Sequence, residues 1–449
     1  MKFLGAALAL SGLAAAAAWD PVARGTIPEA KVTYDNYHIY RIRAESPRDI
    51  EDIEARLASF HSVHSADALE VAIPPNEVRS FEGMGFDYTL LTRDMGKQIR
   101  DEAAHPVTYR RSLDRRGELP DLSWFDSYHS YADHLEYWDD LVAAFPENSE
   151  KFTLGPSYEG RDIHAFHLWG GEGKKGDKPV ILWHGTVHAR EWISTMLPVL
   201  IYLHVVEYLT YQLIDGYKSG DKNVTSFFDD YEFWIVPFHN PDGFAYTQTT
   251  NRLWRKNRQP RRNTTCIGTD NNRNWNYQWY FEPAEGSVSP DPCSESFKGR
   301  CPGDTPENVA VSALSRKLAE GPHGIRSYID WHSYSQLILT PWGWSCDAAD
   351  LPATLPRMRE VGQGTAAAIK ASSGRNYTVG PACEVLYFST GTGRDFHHGA
   401  ADASHSWTLE LPPANARDGG FILPPAQIWP TVKEQWAGQL YLLNEVRKD

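Results

Sequence analysis

From Ser123 to the C-terminus the chain alternates short apolar runs of strand character with longer helical runs, and this alternation restricts its fold more than any other feature. Strands that alternate with helices bury both element types only if the strands form a sheet with helices on its faces. Pro179–Trp183 reads as an apolar strand running into His184-Gly185-Thr186, and the apolar-rich segment from Trp192 to about Leu213 is long enough for several turns of buried helix. Tyr231–Phe238 is another strand, closed by the turn signal Asn240-Pro241-Asp242-Gly243. Ser327–Trp331, Gln336–Thr340 and Ser406–Leu411 are further strands. The expectation is an α/β domain with a mixed sheet flanked by helices.

The preceding part has another character. Between Lys31 and about Thr92, the short strands Tyr37–Arg43, Ala68–Ile73 and Tyr88–Leu91 interleave with helix-like runs starting near Pro47 and Pro75, the pattern of a small α+β module. Asp94 to Leu119 is polar, carries the pairs Arg110-Arg111 and Arg115-Arg116, and has few large apolar residues to anchor it, so it is expected as an exposed, easily cut linker. Met1-Lys2 and the apolar run Phe3–Ala18, ending in small residues, have the layout of a cleaved secretory signal. That run is too short to span a bilayer. The expected organisation is a signal at 1–18, a removable segment at 19–116 with its α+β module at about 31–105, and a large domain at 117–449.

Composition narrows the possible partners. Lys and Arg number 44 against 58 Asp and Glu, and the net charge of -14 would repel phosphate backbones and anionic lipid, so neither nucleic acid nor membrane is expected. The 5 cysteines of an exported chain suggest two disulfides and one thiol left over. Cys266 and Cys293 bracket one loop and Cys346 and Cys383 another segment, which leaves Cys301, with a Cys293–Cys301 pair as the alternative. Asn-x-Thr sequons at Asn223, Asn263 and Asn376 fit export and glycosylation.

Functional residues of an open α/β sheet gather where strands end, and polar clusters stand at several such ends. In His188-Ala189-Arg190-Glu191-Trp192, His and Glu can face one point if the chain turns between them. They offer a nitrogen and a carboxylate of the kinds Zn²⁺ accepts, and a catalytic site needs a third ligand while keeping a position open for water. His332, after Ser327–Trp331, can supply it; His184 is a rival by spacing alone. A second cluster is rich in arginine, Arg252-Leu253-Trp254-Arg255-Lys256 and Asp270-Asn271-Asn272-Arg273-Asn274-Trp275. Guanidinium groups bind carboxylates in pairs of hydrogen bonds and stabilise a developing oxyanion. The third is Glu410 in Ser406–Leu411, a carboxylate in an apolar strand, placed either as an ion-pair partner or as a base facing a cleft.

In their order along the chain, from about Trp124 onward, these clusters resemble the zinc carboxypeptidases of the A/B family. Ser157-Tyr158-Glu159-Gly160-Arg161 is similar to an early segment of that family, His188 to Trp192 to its zinc motif, and Asn240 to Gly243 to its turn. Arg252 to Lys256, Asp270 to Trp275, His332-Ser333-Tyr334-Ser335-Gln336 and Thr408-Leu409-Glu410-Leu411 continue the likeness. The resemblance implies a mixed eight-stranded sheet, one zinc ion held by His188, Glu191 and His332, and Glu410 as general base. It implies that Arg255 polarises the scissile carbonyl and that Asn272 and Arg273 grip the terminal carboxylate of a peptide. Arg190, Ser333 and Tyr334 would line the cleft, and Tyr387 would close over the bound C-terminus. By the same likeness residues 31 to about 105 form a propeptide that an endoprotease removes from a secreted, monomeric precursor.

Side-chain preference depends on how Gly393-Arg394-Asp395-Phe396 is aligned. Counting forward from Tyr387 puts Arg394 at the pocket base, which selects acidic C-terminal residues. Counting back from Glu410 puts Asp395 there, which selects basic ones. His397-His398 is unusual in this loop, and Pro412 to Gly420 departs from the family's pattern, which leaves a protein that binds peptide C-termini without cleaving them as the alternative reading.

Overall fold

The computed structural model describes residues 30–43, 61–65, 68–102, 117–193, 204–282 and 288–449. The signal-like N-terminus, both dibasic pairs and the run expected near Pro47 lie outside them. Strands β1 (His38–Arg43), β2 (His61–Ser65), β3 (Ala68–Ile73) and β4 (Tyr88–Thr92) form an antiparallel sheet in the order β2-β3-β1-β4. Strands β5 (Ser149–Pro156), β6 (Asp162–Leu168), β7 (Val180–Gly185), β8 (Glu232–Val236), β9 (Ile325–Ser333), β10 (Leu337–Thr340), β11 (Thr378–Pro381) and β12 (His405–Leu411) form a second sheet. Its order is β11-β10-β12-β9-β7-β8-β6-β5. The central run β12-β9-β7-β8 is parallel, while β6, β5 and β10 pair antiparallel, as expected of a mixed sheet.

Strand β7 explains why the sheet is covered on both sides. Alternate side chains of a strand leave opposite faces; Ile181 and Trp183 enter one core and Val180 and Leu182 the other. Helices Tyr131–Ala144, His204–Ser219, Leu355–Ser373 and Ile428–Val446 cover the first face with Trp138, Leu209, Met358 and Val432. Helix Pro306–Ala319 covers the second, with Val311, Leu314 and Leu318 at helical spacing. Burying each such large apolar side chain stabilises the fold by roughly 1.5–3 kcal/mol. The expected turn at Asn240 is instead the start of helix Pro241–Thr249. Asn240 accepts a hydrogen bond from the Gly243 N–H at 2.9 Å, and Pro241 occupies a first-turn position where a missing N–H costs nothing.

The N-terminal sheet also has two apolar faces. Tyr40, Ile42, Leu69, Val71 and Ile73 pack with Phe81 into a core of their own. Ile39 and Ala72, on the other face, pack against Leu253, Tyr334, Ala416 and Ile422 of the larger part. The stretch after Asp94 differs from its expected linker character: Met95–Glu102 is helical, Met95 joins that shared cluster, and Glu102 is buried against Arg252. A polar composition conceals such an anchor because a buried ion pair is formed with a distant residue. The disulfides are Cys266–Cys293 and Cys346–Cys383, and Cys301 is free and exposed.

Helix Pro306–Ala319 carries a buried carboxylate that ties it to the neighbouring loops. Glu307 accepts from the Tyr158 N–H at 3.1 Å and from Asn257 Nδ2 at 2.8 Å. Burial, helped by Asp242, pushes its pKa from 4.5 up to about 7. Between those values the folded chain keeps a proton that the unfolded chain has released, so this group's stabilisation is lost as the pH rises through about 7. Glu307→Gln is expected to remove a fall in stability on the order of 3 kcal/mol across that window. Thermal melting of parent and variant between pH 4.5 and 7.5 checks this, and parallel pH profiles would exclude it.

Candidate metal centre and active site

The parallel strands β7, β9 and β12 lie side by side in the sheet, and the polar residues stand at or beyond their C-terminal ends, where such sheets place their ligands. After β7 the loop turns at His188, pinned by the Ala189 N–H donating to the Arg255 carbonyl at 3.0 Å. The turn brings Glu191 back to His188, and β9 delivers His332 to the same point. One ligand atom from each of His188, Glu191 and His332 lies within 4.8 Å of the others, and all three residues are buried. His188 Nδ1 is 2.6 Å from Glu191 Oε1 and His332 Nδ1 is 2.8 Å from Glu191 Oε2. The outer nitrogens have carboxylates of their own: His188 Nε2 is 3.0 Å from Asp270 Oδ1 and His332 Nε2 is 3.0 Å from Asp330 Oδ2.

This donor set fits zinc. Two imidazole nitrogens converge on one carboxylate, and a carboxylate behind each ring can hold the outer N–H and leave the inner lone pair for a metal. His184, the rival by spacing, points into the core instead, where it meets Asp330 and His239. Burial alone would push the Asp270 carboxyl up, but Arg255, His188 and Arg273 hold it well below the usual range. Arg255 donates to Asp270 Oδ2 from Nε at 3.1 Å and Nη2 at 2.9 Å, and its Nη1 lies 3.5 Å from Glu191 Oε1. Asp270 thus aims Arg255 at the edge of the centre.

Glu410 reaches the site by strand register. It pairs with His332 across β12 and β9, so the two side chains leave the same face of neighbouring strands. It is half-buried, unlike the apolar residues before it on β12. Burial pushes its pKa up to about 8, with Glu191 adding to the rise and His332 and Arg255 opposing it. The short segment Asn271–Arg273 supplies the other basic and amide groups. Asn272 Oδ1 accepts from the Gly393 N–H at 2.8 Å, which turns Nδ2 toward His332 Nε2 at 3.2 Å. Arg273 Nη1 donates to the Asn272 carbonyl at 2.9 Å and Nη2 lies 3.4 Å from the Tyr387 hydroxyl. Ser333 donates its N–H to Glu191 Oε2 at 3.3 Å.

Arg190 and Tyr334 stand where the N-terminal module meets the larger part. Arg190 donates to Glu295 Oε2 at 2.8 Å and lies over the Phe421 ring at 4.6 Å. The Tyr334 hydroxyl donates to Glu70 Oε2 at 2.7 Å, and the same oxygen accepts from the Ala416 N–H at 2.9 Å. The cavity left among Glu70, Arg190, Leu253, Tyr334 and Phe421 measures about 30 Å³, enough for a water or two and too small for a peptide.

Arg394 is buried beside Asp395. Its Nε donates to Asp395 Oδ1 at 3.0 Å, its Nη1 lies 3.5 Å from Thr408 Oγ1, and its Nη2 has no hydrogen-bond partner. Asp395 also accepts the Gly343 N–H at 2.8 Å. A side chain at Gly343 would meet Arg394 Nη2 at 2.5 Å, so only glycine leaves that nitrogen room. His397 is held in the core by the Gly393 carbonyl and Ser315 Oγ, and His398 by the Ala403 carbonyl. Sequence reasoning gave no role to Asp330, Glu70 or Glu102; only Asp330, two residues before His332 on one strand, carried a local signal.

A sheet of this order with a His-Glu-His centre and a glutamate beside it defines a class. The sequence pattern of the zinc carboxypeptidase family matches residues 134–438. The chain belongs to that family, and it is a metallocarboxypeptidase, a peptide hydrolase. It is similar to Metallocarboxypeptidase A of Trichophyton rubrum, 39% identical over 92% of this chain and 94% of that one. Carboxypeptidase A2 of Rattus norvegicus is 31% identical over 82% of this chain and 80% of its own. The crystal structure of carboxypeptidase A from Helicoverpa armigera superposes with a TM-score of 0.77 at 26% identity, covering 92% of this chain and 98% of that chain.

Proposed function

We propose that the chain is a secreted carboxypeptidase precursor that, once cut, hydrolyses the last peptide bond of its substrates with Glu410 as general base, and that it prefers acidic C-terminal residues. The observation that carries the catalytic reading is the register of β12 against β9, which sets Glu410 beside His332 and among Glu191 and Arg255. His188, Glu191 and His332 hold one zinc ion. When bound, that ion supplies a Lewis acid that polarises a carbonyl and acidifies water, and its charge draws Glu410 toward the ionised form. Glu410 takes the proton of the attacking water and passes it to the leaving amine. Arg255, fixed by Asp270, meets the negative charge that grows on the carbonyl oxygen. Asn272 and Arg273 grip the substrate's terminal carboxylate, Tyr387 closes beside Arg273, and Arg190, Ser333 and Tyr334 line the approach, so only the last peptide bond reaches the centre.

The acidic preference is supported by the buried Arg394, whose Nη2 lacks a partner while Asp395 is already satisfied by Gly343 and Arg394. A substrate carboxylate would fill that position. Blocked dipeptides ending in Glu, Phe, Leu, Lys or Arg, offered to the zinc-loaded chain after nicking with trypsin, test both readings. Release of Glu is expected to be fastest, and Arg394→Gln to cut kcat/KM for Glu about 10- to 100-fold with little change for Phe, the worth of one charged hydrogen bond. Preferred release of Lys or Arg would assign the pocket to Asp395. No Glu410-dependent release of any residue would leave a protein that binds peptide C-termini.

The precursor reading takes residues 1–18 as signal and 19–116 as propeptide, cut near Arg110-Arg111 or Arg115-Arg116, with 117–449 as a monomeric mature enzyme. It is supported by the N-terminal module's hold on Tyr334 and Arg252. Export is supported by the two disulfides and by the exposure of Asn223, Asn263 and Asn376.

A further inference from the structure

Behind His332 the carboxylate of Asp330 is the first of a run of buried polar side chains whose other members have no part in the roles above. Asp330, His184, His239 and Asn308 are at most 1% exposed. Asp330 and His332 are two residues apart on β9 and so leave the same face. Register sets Asp330 opposite His184 of β7. Asp330 Oδ1 is 3.1 Å from His184 Nδ1, His184 Nε2 is 2.5 Å from His239 Nδ1, and His239 Nε2 is 3.0 Å from Asn308 Oδ1. Asn308 ends the run: its Nδ2 donates to the Asn271 carbonyl at 2.9 Å and its N–H to Thr305 Oγ1 at 3.2 Å.

The amide sets the direction of the protons. Because Asn308 Nδ2 is committed to Asn271, its Oδ1 faces His239 and accepts from the Nε2–H. His239 Nδ1 then carries a lone pair, and His184 donates its Nε2–H to it. The remaining nitrogen, His184 Nδ1, lies 3.1 Å from Asp330 Oδ1 and 2.9 Å from the Tyr328 hydroxyl, and it holds the carboxylate by donating a second N–H, as the imidazolium of an ion pair with Asp330. Neither ring can turn over without breaking two contacts in a buried site.

The other oxygen of Asp330 is the informative atom. Asp330 Oδ2 is buried and has no hydrogen-bond partner of ordinary geometry, and His332 Nε2 lies 3.0 Å from it. Asn272 Nδ2 is 3.2 Å from the same ring nitrogen, but an amide N–H₂ only donates and cannot take the imidazole proton. A carboxylate oxygen left unfilled in the interior is costly. His332 Nε2 is the ring nitrogen nearest that oxygen, and a proton held there by the carboxylate would leave the lone pair of Nδ1 directed at Glu191 and the centre.

We infer that Asp330 is a positioning residue for the metal ligand His332, and that His184 and His239 hold Asp330 in register. Asp330 touches no substrate; it sets how tightly the centre holds its metal. The inference rests on His188, Glu191 and His332 being the ligands.

Competition for Zn²⁺ between the metal-free full-length chain and a chromophoric chelator of known affinity tests it, with the visible spectrum of the Co²⁺-loaded chain as a second readout. Asp330→Ala is expected to weaken zinc binding about 10- to 100-fold, the usual effect of losing a carboxylate behind a ligating histidine. Asp330→Asn, which keeps an acceptor and loses the charge, should weaken it about 3- to 10-fold, and His184→Gln by a similar factor. The Co²⁺ bands should shift in each. A residue needed only for folding would lower the melting temperature of the metal-free chain and leave both readouts alone. Zinc affinity within twofold of the parent, with unchanged Co²⁺ bands, overturns the inference, and Asp330→Asn decides the matter if Asp330→Ala does not fold. Retention of full zinc affinity in His188→Ala would instead overturn the ligand assignment itself.

Discussion

Glu410→Gln is expected to lower kcat/KM on peptide substrates by about 10²- to 10⁴-fold, the range associated with a positioned general acid or base. The substitution keeps the shape of the side chain and an amide oxygen but removes the ability to take up a proton. Because Glu410 is beside the ligand set without belonging to it, the variant should bind one equivalent of zinc as the parent does. Substrate binding depends on Asn272, Arg273 and Arg394 under the proposed mechanism, so the loss should fall on kcat and leave KM nearly unchanged. Glu191→Gln should behave differently, because it weakens the metal itself. Kinetics of the two variants at saturating zinc separate base from ligand. A Glu410→Gln enzyme with more than a tenth of parental kcat would assign the proton transfer to another group.

The fold class and the His-Glu-His group of the candidate centre were open to reading because their signals are local. His188 and Glu191 are three residues apart, His332 ends an apolar strand, and Glu410 interrupts one; each stands out against its neighbours. The central strands were found for the same reason, since β7 opens on the apolar run Val180–Trp183 and β9 and β12 carry large apolar residues at Tyr328, Ile329, Trp331, Trp407, Leu409 and Leu411. Strands β5 and β6 were missed. β5 ends in Gly155-Pro156 and β6 carries Asp162, His164 and His167, so neither shows the apolar run of a central strand, and they form the antiparallel end of the sheet, β5 at the edge and β6 beside it, where polar residues are tolerated. What stayed hidden was the set of long-range polar pairs. Asp330 and His184 are 146 positions apart and Glu70 and Tyr334 are 264 apart. A carboxylate bound to a partner that distant leaves no periodicity and no motif.

The pair Glu102–Arg252, 150 positions apart, leads to the second large effect. Its Glu102 donor partners are Arg252 Nε and Nη2, both at 3.0 Å, in the parallel geometry of guanidinium on carboxylate, and both residues are about 5% exposed or less. Arg252 also donates to the Arg190 carbonyl at 3.0 Å and lies over the Trp192 ring. Glu102→Gln leaves that guanidinium buried without its counter-charge, which costs about 3–5 kcal/mol while the module stays docked. The cost vanishes if the module lifts and Arg252 meets water. A loss of that size corresponds to roughly a 10²- to 10⁴-fold shift toward the lifted state. If residues 19–116 act as a propeptide, uncut Glu102→Gln chain should therefore hydrolyse a small C-terminal substrate without prior nicking, while uncut parent stays nearly silent. Acid should act in the same direction. Burial pushes the Glu102 carboxyl above its ordinary range, so it gains a proton, and the pair loses its charge, at a milder pH than an exposed glutamate would require. After trypsin cleavage and removal of the N-terminal part, parent and variant should be indistinguishable, because Glu102 has left with it. Equal silence of the two uncut chains, with equal activity after cutting, would mean that the apolar face around Ile39 and Ala72 holds the module without help from the ion pair.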